Sequence, residues 1–280
     1  MSGGFPYLGS ICNPVAYGYG TISTTSGFNG TTVNPSATAN TKGSWVQITA
    51  STTADITFLE VMACLINGSS GNLCFLTDIG VGASGSEVVL VPNLSTSVSS
   101  NNTTGIDIII PLNIPAGTRI SARCQCDTAS MALGYLQVGV KGYDGDFVSS
   151  DGFGGVDALT SSTSTSHGAN ITLQTAAFSS WTQLVATTSR DYTGFFYYGD
   201  SSGTTYFQGQ VDIGVGASGS EVSITGGDFV SANLAFNDGS SRVAQYRPIQ
   251  IPAGSRISAR AWEGAPYSNT AAIHLYGVYR

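Results

Sequence analysis

Apolar residues along the chain come in short runs that alternate with polar ones. Ile114, Ile120 and Ala122 alternate with polar partners, and the most apolar stretch, Ile106-Asp107-Ile108-Ile109-Ile110, has the length of a strand. Turn clusters such as Pro115-Ala-Gly117 and Gly82-Ala-Ser-Gly85 cut the runs short, and no helical periodicity of useful length appears. A period of two places every second side chain on one face of a sheet. The pattern therefore predicts an all-β protein built of antiparallel sandwiches, with about seven or eight strands per unit making a jelly roll or a similar sandwich.

The pattern is also doubled. The decapeptides Ile79–Val88 and Ile213–Val222 are identical, lie 134 residues apart, and each follows an aspartate, Asp78 or Asp212. A second pair, Pro111–Arg123 and Pro248–Arg260, is offset by 137 residues and matches at ten of thirteen positions. Trp45-Val-Gln47 corresponds to Trp181-Thr-Gln183, and Leu136-Gln-Val138 to Ile273-His-Leu275. A period this long indicates duplicated domains, since solenoid repeats recur every 20 to 50 residues or so. The expected organisation is an N-terminal arm over residues 1–40, a first β-sandwich over 41–143, and a second over 144–280. Residues 144–166, rich in Gly, Ser and Thr, are expected to serve as a linker. The arm carries Phe5, Tyr7, Tyr17 and Tyr19, aromatics that a soluble protein docks against a neighbour.

Composition narrows the function. The 280 residues include 41% hydrophobic and 10% aromatic residues, which disfavours disorder, while charged residues reach only 10%, against about a quarter in an average globular protein. A net charge of −7 argues against nucleic acid as a partner, because binding to phosphates rests on cationic neutralisation. No window approaches the roughly 18 apolar residues of a membrane-spanning helix, so membrane insertion is not expected. The N-terminus lacks the basic region of a secretory signal, its first cation being Lys42. Cys12, Cys64, Cys74, Cys124 and Cys126 all fall in the first half, which disfavours a shared disulfide framework and fits synthesis in a reducing cytoplasm.

Candidate chemistry clusters around the doubled segments. Gly80-x-Gly82-x-x-Gly85 and Gly214-x-Gly216-x-x-Gly219 satisfy a dinucleotide-binding pattern, but that motif works only where the loop opens a helix, and here it leads into the strand-like Glu87-Val-Val-Leu-Val. A Gly-rich β-turn is expected instead, and no cofactor is implied. Asp78 with Glu87, and Asp212 with Glu221, flank the two loops as candidates for a weak cation site or as ion-pair partners. Arg119 and Arg123, with Arg256 and Arg260, are four of the ten cationic residues and share one strand face, leaving Ile120, Ala122, Ile257 and Ala259 for the core. Two readings stay open for these stripes: contacts to acids of a neighbouring subunit, or pairs with Asp78, Glu87, Asp212 and Glu221 inside the chain.

No catalytic constellation is apparent. His167 sits in a Ser/Thr/Gly loop, and His274, aligned with Gln137, is expected at an outward polar position. Cys124-x-Cys126 lacks the partners of a zinc site, so no metal is expected there. Phe195-Phe-Tyr-Tyr198, Tyr206, Trp262 and Tyr267 form a candidate stacking platform for sugars, although alternation sends half of Phe195–Tyr198 to the other face.

The two doubled segments resemble a family of tailed-phage virion proteins, in which a DIGVGASGSE-like loop is followed by an IPAGTRISAR-like strand and a terminal apolar strand. The resemblance covers both halves from about Trp45 and Trp181 onward and leaves the arm unmatched. It implies a structural component of a bacteriophage particle without saying which; of the roles open to one, a head decoration or cement protein is the first expectation. Such a protein is no enzyme, contacts other virion proteins of capsid or tail and copies of itself, and is assembled into the virion in the host cytoplasm. The alternative is a tail, fibre or receptor-binding module that recognises host surface glycans; a glycan-cleaving enzyme is a weaker third.

Overall fold

A computed structural model describes residues 12–17, 30–67, 73–98, 104–128, 134–144, 154–160, 168–175, 177–201, 207–232, 242–264 and 270–280. Among these residues there is no helix, and nineteen strands form three sheets. The first half contains β1 (Cys12–Tyr17), β2 (Thr31–Val33), β3 (Val46–Thr49), β4 (Ile56–Asn67), β5 (Leu73–Val81), β6 (Val88–Val98), β7 (Thr104–Ile114), β8 (Ile120–Cys126) and β9 (Gly134–Asp144). The second contains β10 (Gly155–Ala158), β11 (Ala169–Thr172), β12 (Thr182–Val185), β13 (Gly194–Ser201) and β14 (Phe207–Val215). It continues through β15 (Val222–Ser223), β16 (Asp228–Ala232), β17 (Arg242–Arg247), β18 (Ile257–Glu263) and β19 (Thr270–Tyr279).

The duplication in sequence is a duplication of topology. One ten-stranded sheet has the order β1-β9-β4-β7-β17-β13-β19-β10, with β2 also on β9 and β11 on β19. Two smaller sheets run β3-β8-β5-β6 and β12-β18-β14-β15, the latter with β16 on β14. Hence β9-β4-β7 over β3-β8-β5 in one half repeats as β19-β13-β17 over β12-β18-β14 in the other. The chain is an all-β pair of sandwiches, as the alternation predicts.

The large sheets of the two halves are joined edge to edge. β7 and β17, equivalent strands, pair side by side and parallel, with Ile106, Asp107 and Ile108 opposite Arg242, Val243 and Ala244. Within each half every pairing is antiparallel, as expected, and the parallel pair stands between the halves. Each strand would otherwise leave a row of unpaired backbone groups at the edge of its own sandwich, and their pairing removes both edges. The segments expected as arm and linker also contribute strands: β1 and β2 add to β9, and β10 adds to β19. Tyr17 of the arm is buried, its hydroxyl accepting from the Thr53 amide at 3.0 Å. Phe5, Tyr7, Tyr19, His167, Tyr206 and Tyr267 lie outside the described residues.

Two cores lie on opposite faces of the shared sheet. Leu59 and Val61 of β4, with Ile106 and Ile108 of β7, face the first core together with Ile79, Ile120 and Ala122 of the smaller sheet. Their equivalents Phe195 and Tyr197 of β13 face the second, with Ile213, Ile257 and Ala259. Equivalent strands that pair in parallel while their sandwiches lie on opposite faces are related by an approximate two-fold axis along the strand direction. Equivalent loops of the two halves therefore emerge at the same end of the molecule.

Alternation makes β13 serve both cores. Phe195 and Tyr197 enter the second, whereas Phe196 and Tyr198 join the first, where Phe196 stacks on Tyr276 with ring centroids 4.7 Å apart. All four are buried, so the expected sugar platform over Phe195–Tyr198 does not exist. His274 is likewise corrected. It is 0% exposed and stacks on Tyr198 at 4.9 Å, because the first half covers this face. Cross-strand pairing places His274 opposite Tyr198 and, in the other half, Gly139 opposite Met62, so the structural counterpart of His274 is Gly139, two residues beyond the aligned Gln137.

Candidate functional site

Three loops meet at the same end of each half: β3 to β4, β5 to β6, and β7 to β8. They are assembled from the doubled segments and are braced identically. In the first half, Thr52 Oγ1 donates to the Pro115 carbonyl at 2.8 Å and accepts from the Thr118 amide at 3.1 Å, while Asp55 Oδ1 accepts from the Ala116 amide at 2.7 Å. In the second, Thr188 donates to the Pro252 carbonyl at 2.8 Å and accepts from the Ser255 amide at 2.9 Å, and Asp191 accepts from the Ala253 amide at 2.6 Å. Thr52, Asp55, Thr188 and Asp191 carry no motif of their own in the sequence. Their shared spacing from Trp45 and Trp181 is the signal that reveals them.

The glutamates close the Gly-rich loops. Glu87 Oε2 accepts from the Gly85 amide at 2.9 Å, and Glu221 Oε2 from the Gly219 amide at 2.9 Å. Gly85 and Gly219 have φ of +82° and +80°, a region costly for any residue with a Cβ. The loop then enters β6, a strand, and so offers no helix N-terminus to a phosphate. Just before β8, Arg119 Nη1 donates to Glu87 Oε1 at 2.8 Å and Nε to Gln47 Oε1 at 3.1 Å. Arg256 repeats this with Glu221 at 2.6 Å and Gln183 at 2.9 Å.

One turn further along the same face stands a second motif. Arg123 Nε donates to Asp78 Oδ2 at 2.9 Å, and its guanidinium lies 4.5 Å from the Trp45 ring centroid. Arg260 donates to Asp212 Oδ2 through Nε at 3.0 Å and Nη2 at 2.8 Å, 4.3 Å from the Trp181 centroid. The halves differ in what completes the aspartate's shell. Lys42 Nζ donates to Asp78 Oδ1 at 2.7 Å, whereas its counterpart Phe178 stacks on Arg260 at 4.8 Å and Asp212 is completed by the hydroxyls of Ser223 at 2.6 Å and Thr225 at 3.1 Å. All four arginines are thus engaged inside the chain, and the acids they hold are their own. Burial pulls the Lys42 ammonium below its ordinary range, with the Asp78 charge opposing the shift. Among the described residues, no three His, Cys, Asp or Glu side chains come together in a metal-binding arrangement.

Two cysteines and one tryptophan singled out by the sequence have structural surroundings. Cys124 and Cys126 are buried on the core side of β8, and burial raises the Cys124 thiol to about 12. Trp262 Nε1 donates to the Thr175 carbonyl at 3.0 Å.

Two predictions arise from this geometry. A Cβ added at Gly214 would lie 2.7 Å from Trp181 Cη2, and one at Gly80 2.6 Å from Trp45 Cη2. The tryptophans pack flat on bare backbone, so Gly214→Ala is expected to push the ring off Arg260 at about 1–3 kcal/mol, with a red shift of tryptophan emission as the check. The second concerns pH. Hydrogen bonding from Arg256, partly opposed by desolvation, holds the Glu221 carboxyl below its ordinary range; in Glu87, burial opposes the shift and the bonds from Arg119 and Gly85 outweigh it. A carboxyl whose folded pKa is depressed adds stability that is present above its unfolded value and lost as pH falls through the folded one. Melting temperature is therefore expected to drop as pH falls below the ordinary glutamate range, and less steeply in the Glu87→Gln, Glu221→Gln double variant.

No protein-family model and no curated protein matches this sequence. Among solved structures the chain is similar to PNGF-II, with 8% identity and a TM-score of 0.40, covering 95% of this chain and 64% of that one. It is similar also to a chain of the Sulfolobus turreted icosahedral virus, at 12% identity and a TM-score of 0.25 over 88% of this chain and 59% of that one. A third is the CBM22-1-CBM22-2 tandem domain of Paenibacillus barcinonensis Xyn10C, at 9% identity and a TM-score of 0.25 over 84% and 81%. The chain thus spans less than two thirds of the PNGF-II chain, and likeness of this size leaves function to be argued from the residues.

Proposed function

We propose that the protein is a non-enzymatic structural component of a tailed-phage particle, a decoration or cement protein that stabilises the shell through contacts with neighbouring virion proteins and with copies of itself. The observation that carries this is what the duplication kept. Both halves retain a rigid end of three loops, braced by Thr52, Asp55, Glu87 and Arg119 in one and by Thr188, Asp191, Glu221 and Arg256 in the other. Histidines, cysteines and the buried aromatic cluster are not duplicated. Rigid loop ends built around a charge-free Gly-rich turn suit repeated protein contact, since little conformational entropy is left to lose on docking. A stable contact of this kind buries upwards of about 1,000 Å². The sequence resemblance supports placing the protein in a virion assembled in the host cytoplasm.

The test is location. Labelled antibody on purified particles, with copy number by quantitative mass spectrometry, is expected to find the chain in many copies over the head. Confinement to the tail tip together with binding on a glycan array would replace this reading with receptor recognition. Absence from purified particles would overturn it.

A further inference from the structure

The identical stretch in the two halves is longer than the fold requires. Asp78, Gly80, Gly82, Gly85 and Glu87, with Asp212, Gly214, Gly216, Gly219 and Glu221, are each needed for an ion pair, a close approach or a turn. Nothing of the kind holds Ala83, Ser84, Ser86 and Val88, or Ala217, Ser218, Ser220 and Val222, whose side chains are exposed. Val88 is 66% and Val222 68% exposed, so neither gains its hydrophobic stabilisation from folding. The flanks have diverged: Val89-Leu-Val-Pro-Asn93 stands against Ser223-Ile-Thr-Gly-Gly227, and Leu73–Thr77 against Phe207–Val211, with no position in common. Pro115-Ala-Gly117 and Pro252-Ala-Gly254, at the same ends, are also identical and exposed. Identity that runs on through these solvent-facing positions, where neither packing nor pairing demands it, and stops at diverged flanks marks a contact made twice.

Geometry says how the two contacts are arranged. The internal two-fold runs along the strands, so both loop ends emerge at one end of the molecule and present the same surface in two-fold-related positions. Beside them the exposed Asp55 and Asp191 hold the Ala116 and Ala253 amides, Arg190 pairs with Asp157, and the four duplicated arginines are committed to Glu87, Asp78, Glu221 and Asp212; the Ala-Ser-Gly-Ser turns themselves carry no charge. Their match is an uncharged protein face with a shallow apolar pocket for a valine and backbone groups for the Ala-Ser-Gly-Ser turn.

We infer that the twin loop ends are a bidentate docking surface for two identical copies of one partner subunit, and that one chain sits astride a two-fold axis between them, its internal axis aligned with theirs. This rests on the virion reading and deepens it: the partner is a shell subunit, bound two per chain. Each end supplies a modest contact, and their linkage through the shared sheet supplies the affinity.

The test uses particles carrying the full-length chain. Val88→Asp and Val222→Asp, alone and together, are expected to fold with unchanged melting temperature because both sites face solvent. Each single variant is expected to leave diluted particles about 100-fold faster or more than the wild type, by similar factors, since either loss reduces a two-point attachment to one. The double variant is expected to show no stable binding. Particle reconstructions are expected to show one chain per two partner subunits, with both loop ends in contact. Ser84→Arg and Ser218→Arg serve as a second pair should either aspartate variant melt early. A chain present on the particle whose single variants both stay as long as the wild type, or of which only one matters, or that binds one subunit per chain, overturns this inference alone. A chain absent from the particle overturns the virion reading and this inference with it.

Discussion

Tyr276→Ala is expected to destabilise both halves together by about 3–5 kcal/mol, the range for removing a large aromatic from a packed core. Tyr276 belongs to the second half by sequence and to the first core by position. Its ring stacks on Phe196, and its hydroxyl donates to the Asn93 carbonyl at 2.7 Å. Tyr198 lies 2.9 Å from it, oxygen to oxygen, and donates to the Ser95 carbonyl at 3.0 Å, while the Ser95 amide donates back to Tyr198 at 2.8 Å. Truncation opens a cavity and strips partners from buried polar groups of β6, so the loss is felt across the junction. Urea unfolding followed by circular dichroism and tryptophan fluorescence, with Trp45 in one half and Trp181 in the other, is expected to show a single transition that moves as a whole. Two separated transitions, with only the second-half one displaced, would contradict a shared core.

The second large effect is expected from Arg260→Ala, and it is asymmetric between the halves. Asp212 is almost completely buried, and Arg260 is the cation paired with it, the rest of its shell being hydroxyls. Removing the guanidinium strands a buried carboxylate, a change that costs about 3–5 kcal/mol where a pair is fully enclosed. Arg260 keeps 32% of its side chain exposed, so about 3 kcal/mol is expected here, part of it from lost stacking on Trp181 and Phe178. Arg123→Ala is expected to cost nearer 1 kcal/mol, because Lys42 still neutralises Asp78 at 2.7 Å. Equal losses in the two variants, measured by chemical denaturation, would show that the lysine contributes nothing.

Much of this architecture is legible in the sequence, for reasons that are local. Alternation sends Ile120 and Ala122 to the core and the arginine side chains to the other face, although Ser121 between the arginines is buried there too. A turn of Gly and small residues followed by a β-branched run reads as loop and strand, and the loop into β6 is one. The candidate acids and arginines stand where period two puts them, on one face, and their pairing follows from the reach of an arginine across neighbouring strands. The loop braces Thr52 and Asp55 are legible only through comparison of the halves.

Cross-strand relations are another matter. His274 looks polar and outward from its neighbours in the chain, and its burial depends on Tyr198 beside it and on the first half above it. Phe195–Tyr198 divide correctly into alternate faces, yet nothing along the chain says that both faces are interior. That follows from β7 meeting β17, residues 136 positions apart at Ile106 and Arg242, and from the sheet thereby gaining a core on each side. By itself the sequence determined the strands, their inward and outward faces, the duplication and the residues at its doubled ends, because each depends on spacing within a few residues. Only the tertiary structure decided that the two sandwiches share a sheet, that the first buries aromatics of the second, and that their twin loops point the same way, because those follow from which edges and faces find each other in space.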